Sequence, residues 1–500
     1  MTTTGGFLLV LAVLLPFAGV LVAFVLGGRS AQRVALGTIV LGLGVAVATA
    51  SAVWRSGEAV VYLVGGWAPP LGVALRADGL SVVMLLAVAV VVTGIGVYAC
   101  GDFFTPKGVA EARAPLTFWL LLPAVLGSLN LVFVSGDVFT LYVALELLTF
   151  AGVPLVCLDG SGETLRSALR YLLFALLGSL LYLLGAFLLF GAYGTLDIAL
   201  LSARVQPDAV VWAAAALMTV GLLAKTALFP LHLWLPPAHA GAPAAASAVL
   251  SALVIKGSWF LGVRLWFDVF PAAVTMTSAQ LLGTLGAMAI LAGNVVALRQ
   301  ARLKLLIAYS TVAQIGYLFL MFPLVFGLEG TGLDSAGAMS GGMLQAVSHA
   351  LAKAAMFMAA GLVYAVLGHD RVGDLRGAGQ ALPVTVTAFA LAGASLVGLP
   401  PSGGFLAKWL LLSAAVTSAQ WWWGLVMLVG GLMTASYVFV VVVGAMAAPA
   451  AGWTPKVRVP RYQQGAVLAL ALGSFLLGAV AFCSVDVVQL GRASASPGSR

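Results

Sequence analysis

Four lysines, Lys225, Lys256, Lys353 and Lys408, fall inside apolar stretches long enough to cross a bilayer, and one carboxylate, Glu146, joins them. An ionised side chain at the bilayer centre costs about 2.5 to 3.5 kcal/mol on insertion scales, so four of them cost roughly 10 to 14 kcal/mol unless partnered or hydrated. Residues of this kind mark ion or proton paths. A lysine with a reference pKa of about 10.4 exchanges protons near neutrality only if its ammonium form is disfavoured by roughly 4.6 kcal/mol, which full burial can supply. A carboxylate beside it acts in the opposite sense. Bringing a carboxylate and such a lysine together or apart would therefore drive proton uptake or release. His349 and Lys353 stand at i and i+4 and share a helical face, as do Ser310 and Gln314, giving short polar stripes able to order water. The plainer alternative for each buried lysine is a structural pairing.

The elements that carry these residues follow from composition. Hydrophobic residues make up 62% of the 500-residue chain and charged residues 8%, and mean hydropathy is +1.12. An ordinary soluble domain carries roughly 25% charged residues, so the chain is an all-α polytopic membrane protein with no soluble domain in view. Taking about 20 residues per span, the apolar stretches predict fourteen helices, at 7–27, 34–54, 80–101, 115–134, 138–157, 167–191, 209–230, 243–266, 276–297, 303–325, 340–366, 382–416, 420–447 and 464–487. The first is read as a span and not a signal peptide, because no positive charge precedes Arg29. Cys100, Cys157 and Cys483 are widely separated in or beside apolar runs and suggest neither a disulfide framework nor a metal site. Trp421, Trp422 and Trp423 read as an interfacial belt.

Basic residues set the expected orientation. Loops following odd-numbered spans hold fourteen of the 24 lysines and arginines, from Arg29 and Arg33 to Lys456, Arg458 and Arg461. The others hold six, namely Arg55, Arg76, Arg204, Arg264, Arg492 and Arg500, and the remaining four are the intramembrane lysines. The positive-inside bias thus places both termini on the outer side of the cell membrane. The net charge of +8 reflects this topology and forms no nucleic-acid surface.

Two spans carry helix breakers at membrane depth. The seventh ends in Phe229-Pro230-Leu-His232-Leu-Trp234-Leu-Pro236-Pro237, and the twelfth contains Gly398-Leu-Pro400-Pro401-Ser-Gly403-Gly404-Phe405. Proline removes a backbone donor, and unwound backbone survives in a membrane only where protein or water satisfies it. Discontinuous helices in matching positions of two halves point to a transport site near the midplane. Each break has a lysine beside it, Lys225 and Lys408, although the prolines follow the first and precede the second. His232 and His239 could relay protons there or simply hydrogen-bond the freed carbonyls. Lys304, near a helix end, is a secondary candidate that could equally snorkel to the headgroups.

The stretches Gly136-Asp137-Val-Phe-Thr-Leu-Tyr142-Val-Ala-Leu-Glu146, Ala224-Lys225 through Pro243, Leu253-Val-Ile-Lys256-Gly, Leu303-Lys304 through Tyr317, His349-Ala-Leu-Ala-Lys353 and Gly398 through Lys408 resemble the antiporter-like subunits shared by respiratory complex I, membrane-bound hydrogenases and Mrp-type cation/proton antiporters. The resemblance covers roughly residues 115–445. It implies a fourteen-helix fold with two inverted five-helix repeats, each a proton half-channel, joined by a central polar axis. Spans 1–3 would occupy residues 1–110, the repeats 115–266 and 276–447, a last helix 464–487, and a polar tail 488–500. The resemblance implies that Glu146 pairs with Lys225, the principal protonatable lysine of the first half; that Lys256 links the halves; that His349 and Lys353 lie on the axis; and that Lys408 is the terminal group of the second half. No extended amphipathic helix follows residue 487, which disfavours the long distal complex I subunit.

Three functions share these residues. The first is a subunit of an Mrp-type antiporter exchanging protons for sodium or another monovalent cation. The second is the proton-pumping arm of an NADH:quinone oxidoreductase or hydrogenase, with redox subunits as partners. The third is a subunit of a proton-driven inorganic-carbon uptake system. Under each, other membrane subunits and the lipid bilayer are the expected partners. The chain itself is expected to hold no nicotinamide, flavin or iron-sulfur cofactor and no catalytic redox site, lacking the cysteines and the glycine-rich fold for them.

Overall fold

The computed structural model describes residues 2–327, 333–449, 452–481 and 485–491. Cys483 and the tail from Arg492 onward, both named above, lie outside them. The apolar stretches form α1 (Phe7–Leu26), α2 (Gly28–Ser56), α3 (Gly79–Ala99), α4 (Arg113–Val134), α5 (Val138–Val156) and α6 (Gly162–Tyr193). A short α7 (Ile198–Arg204) follows on the surface, then α8 (Ala209–Thr226), α9 (Leu235–Gly241), α10 (Ala244–Val249) and α11 (Ile255–Arg264). The second half comprises α12 (Met276–Leu298), α13 (Leu303–Phe326), α14 (Leu333–Leu367), the single turn α15 (Ala378–Ala381), α16 (Pro383–Val397), α17 (Gly403–Thr417), α18 (Trp421–Met446) and α19 (Arg461–Ala481). Thirteen helical stretches among the described residues are long and apolar enough to span, and α16 with α17 makes a fourteenth crossing in two pieces. Short polar residues start many of these helices: Asp78, Asp137, Ser161, Asp197, Asp208 and Ser402 each accept a hydrogen bond from a first-turn amide.

Both breaks fall where the prolines and glycines predict. Helix α8 stops at Thr226, Ala227 turns into the left-handed region (φ 57°), and the chain resumes helix at Leu235. That conformation costs a non-glycine residue about 1 kcal/mol or more. Helix α16 ends on Gly398 (φ 93°), and α17 restarts at Gly403 under the Ser402 cap. The eighth span differs from a plain helix. Wider π segments at Leu250–Val254 and Leu265–Val269 bracket α11, which carries Lys256; such segments insert one extra residue and recur at functional sites.

Position in the bundle sorts the helices. The most apolar part of Ala244–Val269 is 94% buried, that of α13 89% and that of α14 83%, against 33% for α1 and for α2. The innermost spans are therefore the ones bearing Lys256, Ser310, Gln314, His349 and Lys353. Long apolar ridges on α6 and α18, such as Leu169, Leu173, Leu177 and Leu180 or Leu425, Leu428 and Leu432, face outward, as expected where lipid or another subunit is the solvent.

A hairpin that hydropathy does not predict, β1 (Val60–Leu63) with β2 (Ala74–Ala77), joins α2 to α3. It lies with both described ends of the chain: Thr3 N donates to Val61 O (2.9 Å) and Gly79 N to Leu490 O (2.8 Å). On the opposite face Lys456 N donates to Val366 O (3.0 Å) and Leu303 N to Asp370 O (2.6 Å). The two ends thus share one face, and the basic-rich loops share the other. Trp421 and Trp422 are exposed, while Trp423 turns inward and donates to Gln420 Oε1 at 3.1 Å; only two of the three suit a belt.

Candidate functional site

Lys225, in the last turn of α8 before the break, reaches α5. Its ammonium meets three acceptors, Thr149 Oγ1 at 2.9 Å, Glu146 Oε1 at 3.2 Å and Leu145 O at 3.4 Å, which suits its three protons. Ser179 on α6 donates to the same Glu146 oxygen. The pair is largely buried, with side-chain exposures of 6% and 13%. One residue on, Thr226 Oγ1 lies 2.9 Å from Ser258 Oγ, tying the break to α11 two residues past Lys256. His232 stacks on Phe229 with ring centroids 5.5 Å apart, away from the pair.

The remaining lysines are held by neutral groups. Lys256 donates to Ser251 O at 2.6 Å, a carbonyl of its own π segment. Lys353 donates to Ile307 O at 3.0 Å and to Ser310 Oγ, both on α13. Lys408 donates to Leu396 O (2.6 Å) and Val397 O (3.2 Å), the last carbonyls of α16, with its nitrogen 4.3 Å from the centre of the Tyr317 ring. Gln314 reaches Leu396 O as well (3.4 Å) and accepts from Gln345 Nε2 at 3.0 Å. No carboxylate lies within 4.0 Å of these three ammonium groups among the described residues.

Two fully buried histidines stand between them. His349 is within electrostatic reach of Lys256, Lys353 and Lys408, and His239, stacked 4.6 Å from Phe357, is within reach of Lys304 and Lys353. Neither ring meets a protein hydrogen-bond partner at either nitrogen among the described residues, and buried nitrogens of this kind are places where ordered water serves. Lys304, in the first turn of α13, bonds Ala242 O at 2.5 Å and lines a cavity of about 610 Å³ on the basic-loop face, together with Arg302, Asp102, Asp159 and Glu163. Burial raises the Asp102 carboxyl above the usual carboxylate range, against the lowering effect of Gln463 and Tyr98. His239 thus lies near Lys304 and Lys353, and His349 near Lys256, Lys353 and Lys408, while Lys225 pairs with Glu146 and His232 stacks on Phe229.

The sequence reading missed the ion network at Arg264, which it counts as a loop residue. Arg264 is nearly buried, grips Asp78 bidentately (2.6 and 2.5 Å) and bonds Asp268 (2.9 Å) and Ser81 Oγ (2.9 Å). It fastens α11 to the start of α3 beside a second cavity of about 460 Å³, on the face that carries the chain ends. Removing one partner of a buried pair is costly, and Arg264 would be left with Asp268 as its counter-charge among the described residues. Asp78→Ala is therefore expected to lower stability by about 3 kcal/mol, to be read as a fall in the melting temperature of the purified complex. An unchanged melting temperature would show the network to be dispensable.

Fourteen crossings, two interrupted helices and a set of buried lysines make the class a polytopic membrane protein with ionisable groups held inside its helix bundle. Residues 135–434 match the family described as NADH:quinone oxidoreductase/Mrp antiporter, transmembrane, and the chain belongs to that family. It is 35% identical over 404 residues to NADH-quinone oxidoreductase subunit N of Desulforudis audaxviator, covering 80% of this chain and 78% of that protein. It is 28% identical over 410 residues to the D-type Na(+)/H(+) antiporter subunit of Alkalihalophilus pseudofirmus, covering 81% and 80%. Among solved structures, a chain of the Mrp complex from Dietzia sp. DQ12-45-1b has the same fold, with a TM-score of 0.87 at 23% identity over 99% of this chain and 98% of that one. A chain of the membrane-bound sulfane sulfur reductase, an archaeal respiratory membrane complex, gives 0.85 at 25% identity over 96% of each.

Proposed function

We propose that this chain is the proton-translocating membrane subunit of a multi-subunit, Mrp-type antiporter that exchanges protons for sodium or another monovalent cation. The observation that carries the reading is the row of buried lysines ending at two broken helices. Glu146, Lys225, Lys256, His349, Lys353 and Lys408 move the proton, with Lys304 and His239 leading in from the cavity on the basic-loop face. Lys225 gives up its proton when Glu146 moves away and recovers it when the two meet. Neutral acceptors hold the other lysines loosely enough for exchange, and His349 passes the proton between Lys353 and Lys408 through water. By the positive-inside bias, the basic loops face the cytoplasm and the shared face of the ends looks outward. Residues 115–266 and 276–447 act as the two half-channels.

Glu146→Gln keeps the side-chain volume and removes the charge that returns the proton to Lys225. In everted vesicles containing the assembled complex, it is expected to slow proton movement, followed with a pH-sensitive dye, by about tenfold or more. Wild-type rates in that variant would remove the basis of the pair's role. The 35% identity to an oxidoreductase subunit favours a second reading, a redox-driven pump. Subunits co-purifying in mild detergent separate the two: flavin and iron-sulfur proteins support the pump, and small membrane-embedded partners alone support the antiporter.

A further inference from the structure

Helix α19 lies beyond the stretch that matches the family, yet it backs directly onto the second helix break. Ser474 Oγ lies 2.8 Å from Ser395 Oγ on α16, 3.1 Å from Ser348 Oγ on α14 and 3.0 Å from Ser348 O, and the Ser348 and Ser395 hydroxyls are 2.9 Å apart. All three serines are buried, with at most 1% exposure. Ser395 Oγ also accepts from Gly404 N at 3.3 Å, across the break and one turn before Lys408. The backbones are in close contact here. A Cβ on Gly403 would stand 3.0 Å from Ser474 O and Leu477 Cβ, and one on Gly478 would strike the carbonyls of Pro401 and Ser402.

The hydroxyl triangle is thus set one residue before Leu396 and two before Val397, whose carbonyls receive the Lys408 ammonium. Three helices meet in it, and only α19 contributes nothing else to the lysine row. We propose that Ser474 is a positioning residue: it fixes the end of α16 so that the Leu396 and Val397 carbonyls stay aimed at Lys408, and so sets how readily that lysine exchanges its proton. The inference rests on reading Lys408 as a proton carrier. Lys408 meets the Tyr317 ring from α13 and the two α16 carbonyls, with His349 of α14 within electrostatic reach and Tyr437 of α18 within reach of Tyr317. Ser474 carries no titratable group and bonds Ser348 and Ser395, not Lys408 or the carbonyls that hold it, so its action on that lysine runs through the end of α16.

The test uses the assembled complex in everted vesicles, with proton transport measured from pH 6 to 9 by dye, a span of about three units around neutrality. Ser474→Ala is expected to slow transport at least about fivefold, because a buried triangle loses a member, and to displace the pH of half-maximal rate. Ser474→Thr, which retains the hydroxyl, is expected to restore both. Should the alanine variant fail to assemble, Ser474→Cys keeps the volume with a weak hydrogen-bonding group and is expected to show the same displacement. Wild-type rate and pH profile in the alanine or cysteine variant, with Lys408→Ala inactive, overturn the inference alone. Uniform slowing without a displaced profile or threonine rescue overturns it too, by showing a merely structural serine. Normal transport by Lys408→Ala overturns the underlying reading of that lysine.

Discussion

Lys225→Ala in the assembled complex is expected to lower proton transport by about a hundredfold or more, the scale on which a positioned proton-transfer group acts. The ammonium is the only titratable nitrogen bonded to Glu146 among the described residues, and it fills three acceptors on α5 at once. Treated as an unpaired buried charge, its removal would relieve a cost. The pairing reverses that sign, since alanine leaves Glu146 in place with, among the described residues, the Ser179 hydroxyl alone and without its counter-charge. The melting temperature should therefore fall together with transport. Adding Glu146→Gln should recover the melting temperature but not the transport, a coupling that a double-mutant cycle measures. A well-assembled Lys225→Ala complex that transports normally would end the case for this lysine. Lys225→Arg is no control, because an arginine keeps its proton throughout this range.

Lys353→Met is expected to abolish transport to a similar extent with the opposite effect on stability. Lys353 is fully buried and, among the described residues, held by Ile307 O and Ser310 Oγ alone. Neither acceptor is orphaned by its loss, because Ile307 O also receives Ser310 Oγ at 2.8 Å and Thr311 Oγ1 at 3.0 Å. Methionine fills a similar volume without a charge to desolvate. The melting temperature of the variant should equal or exceed that of the wild type while its vesicles carry no proton flux. A marked loss of stability would mean that the ammonium has a counter-charge in the working complex, supplied by another subunit.

Much of this arrangement was legible because its signals are local. Apolar length announces a span, and a proline at membrane depth announces a break, so the fourteen crossings, the ends of α8 and α16 and the lysines beside them could all be read along the chain. The long-range partners could not. Arg264 looks like a loop residue because it stands at the edge of an apolar run, and only the fold brings Asp78 to it from 186 positions away. The π segments around α11 leave no mark in hydropathy. Ser348, Ser395 and Ser474 are small hydroxyls scattered over three apolar helices, each unremarkable where it stands, and Trp423 differs from Trp421 only in the side of α18 it occupies. The pairing of Glu146 with Lys225 came from the family resemblance, and the geometry supplies what resemblance could not, the Thr149 and Ser179 hydroxyls that complete it.

Lys256, Lys353 and Lys408 each lean on main-chain oxygen: Ser251, Ile307, and Leu396 with Val397. Main-chain oxygens belong to every amino acid, so no exchange of side chains at those four positions deletes them. Mutation has little purchase on these contacts, and displacement has a great deal. A slide of a helix end by about one ångström re-aims a carbonyl dipole and alters the hold on a proton, without a second titrating group. Whatever machinery drives this subunit therefore has a mechanical handle on it, and variants that tune its proton affinity should be sought among residues that set helix position, well away from the lysines themselves.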